Sequence, residues 1–76
     1  PQKIYIVGAD TDCCVLTIAT ALFECNIRPV VLTNYCASNG GQEAHKAGIR
    51  CMKRLIGEKQ LIEKEILSIE DLGEIV

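Results

Sequence analysis

Residues 3–15 read KIYIVGADTDCCV, and the change of pattern inside this stretch decides the fold. The first half is rich in β-branched and aromatic residues and ends at Gly8, which is typical of a β-strand buried on both faces. Thr11 or Asp12 then offers a side chain of the kind that caps a helix. A strand that leads directly into a helix is typical of α/β proteins with parallel sheets.

Two helices are predicted from the spacing of apolar residues. The first has apolar positions at i, i+3, i+4, i+7 and i+8 and closes at Asn26, and the second runs from about Gln42 to a stop at Gly57. Ser68 followed by Asp71 forms a capping-box pattern for one short final helical turn. The positions predicted to face the core are Val15, Ile18, Ala19, Leu22 and Phe23 in the first helix and Ala44, Ala47, Gly48, Cys51, Met52 and Leu55 in the second.

Two further strands are predicted, so that strands and helices alternate along the chain. RPVVLTNY at 28–35 predicts the second strand and KQLIE at 59–63 predicts the third. The order strand, helix, strand, helix, strand indicates a parallel sheet with helices packed on it. Parallel sheets are normally covered on both faces and protected at their edges. We therefore expect residues 1–76 to be the C-terminal half of a larger α/β protein, or to pair with another chain.

The composition excludes several classes of protein. The chain has 76 residues, 49% of them hydrophobic, and a formal net charge of −2. These values are typical of one small globular unit and not of a disordered chain. A nucleic-acid-binding face would be basic, no signal-peptide pattern is visible, and no apolar run has membrane-spanning length. We expect neither nucleic acid nor a membrane as a partner.

Five cysteines stand at positions 13, 14, 25, 36 and 51. An odd number cannot all pair within one chain, and the spacing is not that of a secreted disulfide framework. No pair has C-x2-C spacing and the chain has one His, which disfavours a zinc site. We interpret the cysteines as reduced thiols of a cytoplasmic protein, with Cys25, Cys36 and Cys51 packed as small core residues.

Cys13 and Cys14 lie where the first strand meets the first helix. In open α/β sheets, ligands bind beyond the carboxyl ends of the strands. The first turn of a helix offers unpaired N–H groups and positive potential, which stabilise a thiolate or an oxyanion. Helical phase places Cys13 on the polar face and Cys14 on the flank of the apolar stripe, nearer the crevice. These residues alone leave open whether either thiol has a chemical role.

VGADTDCCV at 7–15 resembles the V-G-x-x-T-D-x-C-V segment of the isochorismatase-like cysteine hydrolases, a family that includes the nicotinamidases. The similarity continues through TIATALFECNIRPVVLTNYCAS at 17–38 and EAHKAGIRCMKRLIG at 43–57. The resemblance implies a three-layer α/β/α domain with a parallel six-stranded sheet of Rossmann-like topology. Residues 1–76 would supply only the C-terminal βαβαβ half of that single domain.

The resemblance also implies roles for individual residues. Cys14 is the nucleophile, which attacks a small amide or carbamoyl-type carbonyl and forms an acyl-enzyme that water hydrolyses. The backbone N–H groups of Asp10 and Cys14 form the oxyanion hole, and the peptide bond from Ala9 to Asp10 is cis. The residues with a structural role at the site are Gly8, Thr11 and Asp12.

Other parts of such a site are expected outside this sequence. In the family, the catalytic Asp and Lys come from the N-terminal half, as do the metal-binding Asp and His residues of the nicotinamidases. We therefore expect a small-molecule amide substrate, a homo-oligomer, no cofactor or metal ligand within this chain, and almost no activity from these residues alone. Two positions depart from the family pattern: Asp10 replaces a small or apolar residue, and Asn34 stands where Asp is common.

Several alternatives compete with these assignments. His45, in the first turn of the second helix, could act as the base for Cys14, and Cys13 with Cys14 could form a redox pair, although adjacent cysteines rarely reach disulfide geometry. Gly40-Gly41 suits a phosphate-binding loop but lacks the rest of that motif. For the whole chain, the alternatives to a hydrolase are a non-catalytic binding or oligomerisation module and a nucleotide-binding α/β half. Two acids in ADTDCC disfavour phosphate there.

Overall fold

The computed structural model describes residues 2–75, and their elements follow the predicted order. In chain order they are β1 (Lys3–Ala9), a π-helical turn (Thr11–Val15), α1 (Leu16–Glu24), β2 (Arg28–Ala37), α2 (Gln42–Ile56), a 3-10 turn (Glu58–Gln60), β3 (Leu61–Ile62) and α3 (Ile69–Gly73). The π-helical turn is called the TDCCV turn below. Within the described residues, no helix has the length and apolar character needed to cross a membrane.

The three strands form one parallel sheet in the order β1-β2-β3, which confirms the predicted α/β class. The register of β1 against β2 shifts between Ile6 and Gly8, and the ladder ends with Ala9 opposite Ala37. Because the strands are parallel, this last pair brings the carboxyl ends of both strands to the same edge of the sheet. β3 adds a ladder of only two residues on the other side of β2.

Apolar clusters lie on both faces of the sheet. One face packs against α1 and α2, and the other packs against the C-terminal segment that contains α3. Lys3 Nζ donates a hydrogen bond to the Ile75 carbonyl at 2.6 Å, and the Tyr5 hydroxyl donates to the Leu72 carbonyl at 3.2 Å. The first cluster consists of Ile6, Val15, Ala19, Val31, Met52 and Ile56, and the second of Val30, Leu32 and Ile75. Burial of these side chains is the main favourable term in folding.

β1 is an edge strand of the described sheet, and it is less buried than the sequence predicts. Only Ile6 is buried, whereas Ile4 is 42% and Val7 is 56% exposed. The prediction of a strand buried on both faces is therefore wrong for these residues. The physical reason is that, within residues 2–75, β1 has a neighbouring strand on one side only. Its other edge presents unpaired backbone groups and aliphatic side chains.

Glycines mark both ends of α2, which confirms the predicted start at about Gln42 and the predicted stop at Gly57. Gly41 has φ of 91° before the first residue, and Gly57 has φ of 95° after the last. Both values lie in the region that glycine adopts without steric cost. The helix therefore begins at Gln42 and ends at Ile56.

The predicted apolar stripes of the helices are only partly buried. On α1, Ile18 is 52% exposed and Phe23 is also exposed, although Ala19 is fully buried. On α2, Leu55 is exposed and Ile56 takes the core position instead. The spacing of apolar residues identifies the apolar face of a helix, but a residue on that face is buried only if another element packs over it. Among residues 2–75, Ile18, Phe23 and Leu55 lack complete cover of this kind.

The prediction that Cys25, Cys36 and Cys51 are core residues is wrong for Cys25 and Cys51, whereas Cys36 packs against the first apolar cluster. Cys25 and Cys51 are exposed, and Cys36 is half-buried. Cys25 follows the last residue of α1, where the chain turns at the surface. Met52, which is fully buried, takes the core position next to Cys51, so helical phase turns Cys51 away from the sheet.

α2 packs directly on the TDCCV turn at Gly48. This glycine is buried, and a Cβ atom built on it would lie 2.8 Å from Cα and 2.9 Å from the backbone nitrogen of Asp12. Real Cβ atoms essentially never approach other atoms so closely. Glycine at position 48 therefore permits a backbone-to-backbone contact that any side chain would prevent.

Gly48→Ala is expected to lower the free energy of unfolding of the intact protein by about 1–3 kcal/mol, because the new methyl group overpacks against the Asp12 backbone. Gly73→Ala is the matched control, since Gly73 also lies in a helix and no atom lies within 4 Å of a Cβ built there. Replacing a helical glycine otherwise stabilises by up to about 1 kcal/mol. Equal urea midpoints for the two variants would contradict the close contact at Gly48.

Candidate active site

The candidate site is built where β1 and β2 end. The pairing of Ala9 with Ala37 lets the next residues, Asp10 and Ser38, leave the sheet side by side. α2 begins only a few residues later, so its first turn lies at the same edge. This is the edge at which open α/β sheets bind their ligands.

The TDCCV turn is π-helical and not the start of a regular α-helix. The Asp10 carbonyl accepts hydrogen bonds from the N–H groups of Cys13 and Val15, both at 3.1 Å. Among the described residues, the N–H of Cys14 between them does not donate to this carbonyl. The peptide bond between Ala9 and Asp10 is cis, at the position for which the family resemblance implies a cis bond.

The loop after β2 holds both acidic side chains of the site. The Ser38 hydroxyl donates to Asp12 Oδ1 at 2.7 Å, and the backbone N–H of Asn39 donates to Asp10 Oδ1 at 3.0 Å. The Asp10 carboxylate therefore bonds to this loop. Neither Ser38 nor Asn39 is predicted as a site residue from the sequence. The signal that could have found them is their place directly after the second parallel strand.

Thr11 is fully buried, and its hydroxyl oxygen lies 2.7 Å from Nδ1 of His45, in the first turn of α2. The prediction that Thr11 or Asp12 caps the helix is wrong, because Asp10 takes the N-cap position and no side chain caps the turn. The reason is that the Thr11 and Asp12 side chains bond to α2 and to the loop after β2 instead.

Cys13 and Cys14 are both exposed, free thiols. The Asp12 carboxylate is the main cause that raises the pKa of Cys13, and desolvation, Asp10 and Cys14 raise it further. A thiol with a raised pKa carries less thiolate at neutral pH, and the thiolate is the nucleophile. The charges of the turn therefore disfavour Cys13 as a nucleophile. Within residues 2–75, no hydrogen bond joins His45 to the Cys14 thiol.

Cys36 lies near the same edge but is held differently. Its thiol donates to the Leu32 carbonyl at 3.5 Å. Burial raises the pKa of Cys36, and a hydrogen bond with the backbone of Gly8 partly offsets that rise. These contacts are typical of a structural thiol that packs against the sheet.

Asp10, Asp12 and Cys13 each place one possible ligand atom within 4.8 Å of the others. Both carboxylates accept hydrogen bonds from the loop after β2, at Ser38 and Asn39. Those bonds account for the closeness of the carboxylates without an ion. We therefore describe these acidic residues as anchors of the turn.

A groove of about 620 Å³ opens between α2 and β3. It shares His45 with the contacts of the TDCCV turn, but neither Cys13 nor Cys14 lines it. The groove residues are Thr33, Gln42, His45, Lys46, Ile49, Arg50, Lys53, Glu58, Leu61 and Glu63. Lys53 and Glu58 form a surface ion pair at 3.7 Å, of the kind that contributes little stability.

Comparison with known proteins identifies the family. The chain matches the isochorismatase domain over residues 1–63. Comparison with curated proteins and with solved structures gave no match. The matched range contains all three strands, the TDCCV turn and α2, and so every residue of the site described above. Because the match covers more than half of the 76 residues, this chain belongs to the isochorismatase family, whose domain has a hydrolase-type α/β fold.

Proposed function

We propose that this chain is the nucleophile-bearing, C-terminal half of a hydrolase that cleaves a C–N bond in a small amide or carbamoyl-type substrate. Membership of the isochorismatase family supports hydrolysis in general. The observation that carries the proposal is the exposed Cys14 thiol, which lies in a tightly anchored turn at the carboxyl edge of a parallel sheet. That is where a nucleophile at a helix start meets a ligand.

In this proposal the Cys14 thiolate attacks the carbonyl carbon of the substrate. The C–N bond then breaks, and ammonia or an amine leaves with a proton. Water hydrolyses the resulting thioester, which releases the acid and restores the thiol. The backbone N–H groups of Asp10 and Cys14 stabilise the negative oxygen of each tetrahedral intermediate. The bond from Asn39 to the Asp10 carboxylate supports a catalytic role for the Asp10 backbone and not for its side chain.

The proton transfers need a base, and we propose that another part of the same domain supplies it. The open edge of β1 exposes Ile4 and Val7, and further strands are what normally cover such an edge. A strand added there in the parallel orientation of this sheet ends beside the carboxyl end of β1, and so close to Cys14. We propose that the N-terminal half of the domain packs on this edge and brings the family's catalytic Asp and Lys.

A non-catalytic binding module is the second candidate. It is favoured by the absence, within residues 2–75, of a hydrogen bond from the Cys14 thiol to a carboxylate or an imidazole. Ammonia release from a panel of small amides separates the two candidates when the intact protein is used. Release that depends on Cys14 supports the hydrolase, and an absence of release from every amide in the panel supports the binding module.

Cys14→Ser is expected to lower the rate of amide hydrolysis by about a thousandfold or more, because the reaction loses its nucleophile. Cys13→Ser is the matched control, since it removes the adjacent thiol from the same exposed turn, and it should keep most of the activity. Ammonia release by the intact protein measures both. Loss of activity in Cys13→Ser together with retention in Cys14→Ser would reverse the assignment of the nucleophile.

Asp12→Asn is expected to speed the reaction of Cys13 with iodoacetamide at neutral pH. Asp12 is the main cause of the raised pKa of Cys13, so its neutralisation lowers that pKa and increases the thiolate fraction. The midpoint of labelling rate against pH should move to lower pH, measured by peptide mass spectrometry in a Cys14→Ser background. Glu24→Gln, which removes an exposed carboxylate at the far end of α1, is the control. Identical midpoints in the two variants would show that Asp12 does not control this thiol.

A further inference from the structure

A buried polar contact joins the TDCCV turn to α2. Thr11 is 0% exposed, and its Oγ1 lies 2.7 Å from Nδ1 of His45. Either the Thr11 hydroxyl donates to an unprotonated Nδ1, or the Nδ1–H group donates to the hydroxyl oxygen. A buried hydroxyl that loses its partner is unfavourable, so the place of the imidazole constrains the place of Thr11.

A second contact holds the same helix against the same turn. Gly48 packs its backbone on the backbone of Asp12. His45 and Gly48 are three residues apart on α2 and therefore share one face of the helix. That face thus fixes two successive residues of the turn, Thr11 through a hydrogen bond and Asp12 through close packing.

Thr11 lies among the groups that organise Cys14. It directly follows Asp10, whose carbonyl accepts the N–H groups of Cys13 and Val15. A displacement of Thr11 therefore disturbs the hydrogen bonds on both sides of Cys14. Misplacement of a reacting group by about 1 Å can lower a rate about a hundredfold.

We propose that His45 is a positioning residue for the nucleophile. Its Nδ1 holds the Thr11 hydroxyl, and this bond fixes the turn in the shape that presents the Cys14 thiol to the substrate. The proposal rests on the proposed function, since it takes Cys14 as the nucleophile. It gives His45 no proton transfer with Cys14 or with the substrate, and so it differs from the alternative in which His45 is the base.

Asparagine at position 45 separates positioning from base catalysis. Its side-chain amide puts a hydrogen-bonding group near the place of Nδ1, but it does not take up a proton at neutral pH. If His45 is a positioning residue, His45→Asn should keep most of the amide hydrolysis rate that His45→Leu loses. If His45 is the base, both variants should lose that rate equally.

The experiment compares His45→Asn, His45→Leu and Thr11→Val in the intact protein, in a Cys13→Ser background. Ammonia release gives kcat and KM, and iodoacetamide labelling of Cys14 gives a readout that does not depend on turnover. We expect His45→Leu and Thr11→Val to lower kcat and the labelling rate by about tenfold to a hundredfold, with KM within about twofold. The control is Glu43→Gln, at an exposed position in the first turn of α2 that does not line the groove, and it should behave like the parent.

The double variant Thr11→Val/His45→Leu should lower kcat and the labelling rate of Cys14 no further than the more severe single variant does, because both substitutions remove the same hydrogen bond. Additive losses in the double variant would overturn the proposal. Equal inactivity of His45→Asn and His45→Leu would also overturn it, as would unchanged labelling and turnover in His45→Leu.

If His45→Leu does not fold, a comparison of Thr11→Ser with Thr11→Val tests the same hydrogen bond. Only the serine variant should keep the parent's labelling rate. If no amide is hydrolysed but labelling still falls in His45→Leu and Thr11→Val, the proposed function is wrong and the positioning of the Cys14 turn stands.

Discussion

The ladder between β1 and β2 ends with Ala9 opposite Ala37, and this pairing fixes where both segments of chain leave the sheet. The TDCCV turn and the loop after β2 then start side by side, within hydrogen-bonding distance of each other. α2 begins at the same edge, since the loop before it is short, and its first two turns contact the turn through His45 and Gly48. The path of the backbone therefore determines where the thiols lie, and the contacts of α2 with the turn stabilise that position.

Two carboxylates beside two thiols create an uneven electrostatic environment. Asp10 and Asp12 both raise the pKa of Cys13, with Asp12 the stronger. The Asp12 carboxylate accepts a hydrogen bond from Ser38 and the Asp10 carboxylate accepts one from Asn39, and these bonds keep both carboxylates in place at the loop. Adjacent residues of the π-helical TDCCV turn project in different directions, so neighbouring cysteines meet different surroundings. Sequence adjacency therefore does not make the two thiols chemically equivalent.

Features that depend on neighbouring residues could be predicted from the sequence, and features that depend on distant partners could not. Gly57 predicts the end of α2 because backbone conformation is a local property. The exposure of Ile18 could not be predicted, because spacing reveals an apolar face but not what lies above it. The bond between Thr11 and His45 spans 34 positions and follows no periodicity. Of the site, the TDCCV turn could be located from its motif, whereas the residues that anchor it became visible only in three dimensions.

The hydrogen bonds described for the TDCCV turn, and its close contact with Gly48, all come from one continuous stretch, residues 10–48. None comes from the open edge of β1 in the described part of the chain. A substitution in any segment packed against that edge therefore leaves these hydrogen bonds unchanged. The shape of the TDCCV turn and the surface of the open edge can change independently in evolution. Under the proposed hydrolase function, this separation lets the choice of substrate diverge while the Cys14 chemistry stays constant.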